Sequence, residues 1–518
     1  MLGMPDPKAR CGMRSSRSVL QAHRLFTLCG PSLRPCLGRW LELPVRQGLL
    51  AVVLIGAVGL TVEAGRWLAD TAHARAPSQP LNLTPDRTPE WAGAGLACPG
   101  PQPPPVTDFG VYQTPNMPEP AARVPFRDPV FGTCVVRVTD RTKDIAPDDS
   151  SAGLLNEYSR VQSFNADESR ILVRGIAQTW YLYDAASLNP LGQQQDIEID
   201  PRWDAGSPNL LAYSVWPTWL VGYNVATGQP TVIHDFAGDF PGQALAAVWT
   251  RYEGSPSRDG RYLGLMAQDE SWSTVAFLVY DRQLGQVIAQ RIMPQGLPEI
   301  DSVTISPLGD YFLAFYDYCQ TGEMGSDAHP CGLMVYNREL TNGRGLLRLA
   351  GHCDTALDAQ GREVLVYQDI DTDHISILDL ATGVVTPLWP IDYSHTAIGL
   401  HFSGQAFDRP GWALVSTYNG GRPTAHTWMD DQVFAVELRA GGQVIRLAHT
   451  HSVYDENVEQ DYWAEPHASV NRDFTRAVFT SNWGRSGTEE VEMFLIEIPP
   501  EWTGGDDAPP VVQFSSAT

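Results

Sequence analysis

Residues 255–267 read SPSRDGRYLGLMA, and this small polar turn followed by an alternating strand decides the fold. The pattern returns as TISPLGDYFLAFY at 304–316, ALDAQGREVLVYQ at 356–368 and SVNRDFTRAVFTSN at 469–482. Each copy is followed by a second apolar strand that ends in Asp, Asn or Glu, as in AFLVYDRQLG at 276–285. Seven such units follow one another, roughly 40 to 67 residues apart.

A repeat of this length with about four strands per unit predicts an all-β, seven-bladed β-propeller over residues 129–499. One four-stranded blade cannot bury both of its faces, whereas a closed ring of blades buries them all. The strand FGTCVVRVTD at 131–140 belongs to no unit, so we expect it to complete the last blade and close the ring. A pair of two-sheet sandwiches is the alternative architecture.

The mid-blade turns carry a family resemblance. SRDG at 257–260 and SPLG at 306–309 resemble the SPDG turns of TolB-like and WD40-like propellers. The motif is short, so the resemblance implies the fold and not an activity.

The N-terminal part is predicted to be a membrane anchor. Residues 1–46 carry about +6 of charge against −30 for the rest of the chain, and residues 47–68 are mostly apolar. A basic flank of this kind places residues 1–46 in the cytoplasm and the C-terminal domain in the periplasm or outside the cell, as a single-pass protein. Alternatively, the segment is a cleaved signal peptide with Ala72-His73-Ala74 at the cleavage site, and the protein is secreted.

Two further segments are predicted to be disordered. Residues 69–128 are rich in proline, which indicates an extended stalk, and residues 500–518 form a C-terminal tail.

The cysteines divide at the predicted span. Three precede it, and five follow it: Cys98, Cys134, Cys319, Cys331 and Cys353. Cys319 with Cys331, and Cys98 with Cys134, are the candidate disulfides, which leaves one thiol over. This usage is compatible with a location outside the cytoplasm.

Composition and motifs exclude several functions. A net charge of −24 argues against nucleic acid as a partner, because phosphate backbones require clustered Lys and Arg. The sequence has no phosphate-binding loop, no dinucleotide fingerprint, no HExxH and no GxSxG.

Histidines concentrate in the last two blades. Six of the twelve lie between residues 395 and 467, and an E-x-H pair, Glu465 and His467, directly precedes blade seven. Alternate residues of an extended segment share a face, so such a pair supplies two ligands to one divalent ion. The alternative is that this pair only closes the blade.

The string WAEPHASVNRDFTRAVFTSNWG at 463–484 resembles the last-blade segment of oligogalacturonate lyases, which are seven-bladed propellers. In that family an H-x-H, a His from the preceding blade and a Gln hold manganese. The resemblance implies His395, Glu465 and His467 as metal ligands, with Glu465 replacing a His and Tyr462 standing at the Gln position. Manganese or calcium is the expected ion.

Two functions remain open. The first is a binding module whose channel mouth recognises a protein, a glycan or another ligand. The alternative is a metal-assisted lyase of uronate-containing polysaccharide, with His352, Arg160, Arg258 and Tyr158 as candidate bases or stabilising groups. Binding is placed first, because an acidic protein repels a polyanionic substrate.

Overall fold

The computed structural model describes residues 98–504, apart from 195–196, 321, 396–397 and 420–425. The predicted cytoplasmic tail and membrane span therefore lie outside the described residues, as do residues 69–97 of the predicted stalk and residues 505–518 of the predicted C-terminal tail. No helix within the described ranges has the length and apolar character needed to span a membrane.

Seven antiparallel sheets form a seven-bladed β-propeller, as the repeat predicts. Six blades contain four strands each, taken in chain order from inside to outside. Blade one consists of β3 Leu154–Leu155, β4 Arg170–Gly175, β5 Trp180–Asp184 and β6 Pro190–Gln194. Blade two consists of β7 Ile199–Trp203, β8 Leu210–Val215, β9 Trp219–Asn224 and β10 Gln229–Asp235. Blade three consists of β11 Ala247–Trp249, β12 Tyr262–Gln268, β13 Thr274–Asp281 and β14 Gln286–Ile292.

The next three blades follow the same plan. Blade four consists of β15 Ile300–Ile305, β16 Tyr311–Tyr316, β17 Leu333–Asn337 and β18 Arg344–Leu347. Blade five consists of β19 Cys353–Leu357, β20 Glu363–Asp369, β21 His374–Asp379 and β22 Val385–Pro390. Blade six consists of β23 Ile398–Ser403, β24 Trp412–Asn419, β25 Gln432–Glu437 and β26 Val444–His449.

Blade seven is built from both ends of the described chain. Its inner three strands are β27 Ser469–Val470, β28 Arg476–Ser481 and β29 Glu492–Glu497. Its outer two are β2 Cys134–Arg137, which pairs with β29, and β1 Phe126–Arg127. The strand without a unit of its own thus closes the ring, as expected. The few helices of the described residues are short: α1 Arg141–Asp144 and the 3-10 turns Phe236–Asp239, Glu459–Ala464 and Pro500–Thr503.

The apolar core lies between blades. Each neighbouring pair shares one cluster of buried side chains, because alternate residues of a strand point to opposite faces of its sheet. In β28, Phe479 packs toward blade six and Val478 packs toward blade one. Loss of one blade would therefore expose two such clusters.

The repeated turn has a specific structural role. The Ser257 hydroxyl accepts a hydrogen bond from the Tyr262 amide, and Ser306 does the same for Tyr311, both at 2.9 Å. Gly309 of the second turn has φ of 76°, a left-handed conformation that glycine adopts at little cost. The small polar residue and the glycine of the repeat therefore define where the second strand of each blade begins.

Residues 98–128 differ from the predicted stalk. A disulfide joins Cys98 to Cys134, the Val106 carbonyl accepts a hydrogen bond from the Arg446 amide, and the Phe109 ring lies 4.9 Å from that of Trp389. These contacts hold the segment against the outer edge of the propeller, although its proline content predicts extension. The second predicted disulfide, Cys319–Cys331, is also present, and Cys353 is a buried free thiol.

Candidate metal centre

The candidate site lies in the central channel. Strand β23 contacts both β19 and β27, the first strands of the two neighbouring blades, which identifies all three as inner strands. His352 directly precedes β19, His401 lies within β23, and Glu465 and His467 lie between the 3-10 turn Glu459–Ala464 and β27. We call the end of the ring at which the inner strands begin the top face. Three consecutive blades therefore deliver these side chains to one place near the top face.

Three of these side chains have the geometry of a metal-ligand set. One potential ligand atom from each of His401, Glu465 and His467 lies within 4.8 Å of the others. A carboxylate oxygen of Glu465 is 3.3 Å from His401 Nε2 and 3.4 Å from His467 Nε2. All three residues are at most 4% exposed. A carboxylate and two imidazoles thus converge in a nearly dry environment.

The histidine nitrogens test whether an ion fits. Both ring nitrogens of His467 are buried without a hydrogen-bond partner among the described residues, and so is Nδ1 of His401. Buried polar atoms are nearly always paired, because an unpaired one forfeits its interaction with water. A divalent ion would give one nitrogen of each imidazole a partner, and two imidazoles with one carboxylate form a donor set suited to such an ion. The residues therefore fit a divalent metal.

His352 lies beside this set. Its ring stacks on that of His401 with centroids 4.5 Å apart, and the residue is partly exposed. Burial lowers the pKa of His352 to about 3, and His401 adds to the effect while Glu465 opposes it. Burial also lowers the pKa of His401 well below its ordinary value. Both imidazoles are therefore neutral at neutral pH, so each has a nitrogen lone pair available to a metal ion.

Tyr158 and Arg160 complete the site from the segment between β3 and β4 of blade one. The Tyr158 ring lies 4.9 Å from that of His467, and burial raises the pKa of this phenol well above its ordinary value. Arg160 forms an ion pair with Glu253 at 2.9 Å, and both side chains are largely buried. Burial raises the pKa of Glu253 to about 7, although Arg160 opposes the rise.

Two sequence-predicted residues lie elsewhere. His395 pairs with Asp392 at 2.6 Å, and its side chain is 59% exposed. Arg258 is exposed in the turn between β11 and β12, at the opposite end of the ring. His401 therefore takes the position that we expected for His395. In the sequence, His401 stands in an apolar stretch that alternates like an inner strand, which could have marked it as a channel residue. That conclusion required knowing that β23 begins at Ile398.

Comparison with known proteins shows the fold. No family model and no curated protein sequence matches the chain. An oligogalacturonate lyase from Vibrio parahaemolyticus is 13% identical with a TM-score of 0.50, covering 73% of this chain and 97% of that one. An oligogalacturonate lyase in complex with manganese is 15% identical (78% and 99% covered, TM-score 0.49), and TolB from Acinetobacter baumannii is 18% identical (57% and 64% covered, TM-score 0.30). At these identities the likeness concerns the propeller alone.

Proposed function

We propose that this protein is a metal-assisted lyase that cleaves uronate-containing polysaccharide by β-elimination. The observation that carries the proposal is the convergence of His401, Glu465 and His467 beside the neutral ring of His352. The resemblance of residues 463–484 to the last blade of oligogalacturonate lyases supplies the substrate class. In the proposed ligand set, His401 replaces His395, the third ligand that the resemblance implied.

The elimination requires a base and a proton donor. A divalent ion held by the three ligands would neutralise the uronate carboxylate and so acidify the adjacent C5–H bond. His352 accepts the C5 proton, the C–H electron pair forms the C4–C5 double bond, and the bond from C4 to the glycosidic oxygen breaks. We assign protonation of the departing oxygen to the Tyr158 hydroxyl, because the Tyr158 ring lies 4.9 Å from that of the proposed ligand His467.

The donor set narrows the choice of ion. Calcium prefers six to eight oxygen ligands, whereas two of the three ligands here are imidazoles. Imidazole favours zinc, iron and related ions, while the carboxylate of Glu465 suits a harder ion such as manganese. We therefore propose a transition metal, with manganese and zinc as the ions to test, and not calcium.

A binding module is the second candidate function. The three ligand residues are almost completely buried, and the chain has a net charge of −24. Both features oppose the approach of a long polyanion. In this case the metal centre would hold one carboxylate group of a ligand without cleaving it.

We also propose that residues 47–68 anchor the protein in the membrane and hold the propeller outside the cytoplasm. Support comes from the basic flank of this segment and from the disulfides Cys98–Cys134 and Cys319–Cys331, which persist in oxidising compartments. Protease treatment of intact cells and of spheroplasts tests this location: cleavage of the propeller in either supports it, and full protection in both contradicts it.

An elimination assay tests the lyase. The purified full-length chain is incubated with oligogalacturonate and polygalacturonate after loading with manganese or zinc, or after chelation. Ultraviolet absorbance of the unsaturated product should rise with metal and not after chelation. Binding of the oligomer without any unsaturated product would instead support the binding module. The His395→Ala variant serves as a control, because this histidine lies outside the ligand set.

A further inference from the structure

Two exposed tryptophans lie on the same face as the metal centre. Trp216 lies in the turn between β8 and β9, and Trp272 lies in the turn between β12 and β13. The second strand of each blade runs antiparallel to the first, so turns between second and third strands lie at the top face. Trp216 is 47% exposed and Trp272 is 36% exposed, although tryptophan is usually well buried.

These tryptophans form a platform with Trp249, which is buried. Ring centroids are 5.6 Å apart for Trp216 and Trp272, and each lies about 6 Å from Trp249. We call these three residues the tryptophan platform. The Trp249 indole donates a hydrogen bond to Gln268 at 2.8 Å, which fixes its ring. The ring planes meet at 54° to 86°, so the rings support one another edge to face and the two exposed rings each present a separate apolar face. Aromatic faces held in this way bind apolar groups of a partner at a small entropic cost.

Trp272 also has an unfavourable backbone conformation. Its φ is 61°, in the left-handed region where turns normally place Gly or Asn. The Asp269 carboxylate accepts hydrogen bonds from the amides of Ser271 and Ser273, which hold the turn in this shape. Such strain is found most often where a side chain has a function. Folding alone would favour glycine at this position.

The platform is connected to the channel through one loop. The Tyr252 ring lies 5.0 Å from Trp249, while the next residue, Glu253, forms the ion pair with Arg160 inside the channel. The Tyr252 carbonyl also accepts a 2.6 Å hydrogen bond from Arg202, which pairs with Glu157, the neighbour of Tyr158. The platform therefore adjoins the channel wall.

Arg174 supplies positive charge between the platform and the metal centre. It lies at the top-face end of β4, and its guanidinium lies 5.7 Å from the ring of Trp463, in the turn that leads to Glu465. Its Nε is buried without a hydrogen-bond partner, and no ion pair joins it to a carboxylate of the described residues. Arg174 pairs with Leu155 across β4 and β3. Two residues further along the chain, Glu157 pairs with Arg202, which donates to the Tyr252 carbonyl beside the platform.

We infer that the tryptophan platform and Arg174 form a second subsite for an acidic saccharide, which extends outward from the metal centre across the top face. Sugar rings present their C–H faces to the tryptophans, and a uronate carboxylate pairs with Arg174. The inference rests on the proposed function for its substrate class. The protein would therefore bind long oligomers more tightly than short ones, because a short oligomer occupies the metal centre alone and a longer one also reaches the platform.

Binding measurements with two chain lengths test this subsite. Dissociation constants of a hexauronate and a diuronate are measured by calorimetry on the metal-loaded and the chelated full-length chain. Trp216→Ala combined with Trp272→Ala should weaken hexauronate binding roughly tenfold or more and leave diuronate binding unchanged. Trp216→Phe with Trp272→Phe should restore most of the affinity. Arg174→Gln should remove the preference for hexauronate over a neutral hexasaccharide.

The control is Leu284→Ala, because Leu284 is 58% exposed in the turn between β13 and β14, on the opposite face of the same blade. Equal hexauronate affinity in the wild type and in a folded double alanine variant would overturn the subsite. This result is separable from the lyase test. If the tryptophans contribute to hexauronate binding but no unsaturated product forms, the subsite stands and the lyase is rejected. If product forms and binding does not depend on the tryptophans, the lyase stands and the subsite is rejected.

Discussion

His401 Nε2 lies 3.3 Å from the carboxylate of Glu465, although the two residues belong to neighbouring units of the repeat. The contact exists because the inner strands of blades six and seven lie side by side. His352 of blade five stacks on the other side of His401. The ring of blades thus places side chains that are far apart in the sequence next to one another, and the candidate metal centre is formed in this way.

Removal of Arg160 should destabilise the protein through Glu253. The ion pair is largely buried, so Arg160→Met leaves an uncompensated carboxylate in the channel. At pH 8 the free energy of unfolding should fall by roughly 3 to 5 kcal/mol, as urea denaturation would measure. Adding Glu253→Gln should recover part of the loss. Equal stability of the single and double variants would show that the two side chains are not coupled.

His352→Gln should separate catalysis from metal binding. His352 is not one of the three ligands, so the variant should bind the same amount of metal as the wild type. Its elimination rate should fall by roughly two to four orders of magnitude, because the base is absent. Parallel measurements of metal content and unsaturated product test this. A rate close to that of the wild type would assign the base to another residue.

Glu363 should make stability depend on pH. Burial raises the pKa of Glu363 to about 7, while its carboxylate accepts a hydrogen bond from the Leu308 amide at 2.5 Å. A raised folded-state pKa means that the folded protein holds the proton more tightly than the unfolded chain. The stability from this group is therefore full below about pH 4.5 and is lost as the pH rises toward 7.

Glu363→Gln should remove this pH dependence and retain the amide hydrogen bond. Between pH 4.5 and 8 the wild type should lose on the order of 3 kcal/mol relative to the variant. Glu339→Gln, at an exposed position, is the matched control. Parallel stability curves for the wild type and Glu363→Gln would contradict the prediction.

The fold was predictable because its information is local and repeated. The turn at 257–260 and its copies define the start of each second strand, and strand alternation defines the two buried faces. The closure of the ring by β2 was predictable because residues 131–140 form a strand that belongs to none of the seven units. Both disulfides followed from cysteine spacing and number.

The site was only partly predictable, because it depends on register. Glu465 and His467 were identified from their spacing and family resemblance, but the choice between His395 and His401 required the start of β23. A displacement of a few residues there exchanges an exposed histidine for one that is 1% exposed. Arg258 likewise required knowledge of which end of the ring its turn occupies. The packing of residues 98–128 depends on partners such as Trp389, which composition does not reveal.

Metal content is the most direct test of the account. The full-length chain is incubated with manganese or zinc, freed of unbound ion, and analysed by mass spectrometry of the metal alongside the His467→Ala and His395→Ala variants. The ligand set predicts about one ion per chain in the wild type and in His395→Ala, and almost none in His467→Ala. Absence of a bound ion from the wild type, or an unchanged content in folded His467→Ala protein, would contradict the metal centre.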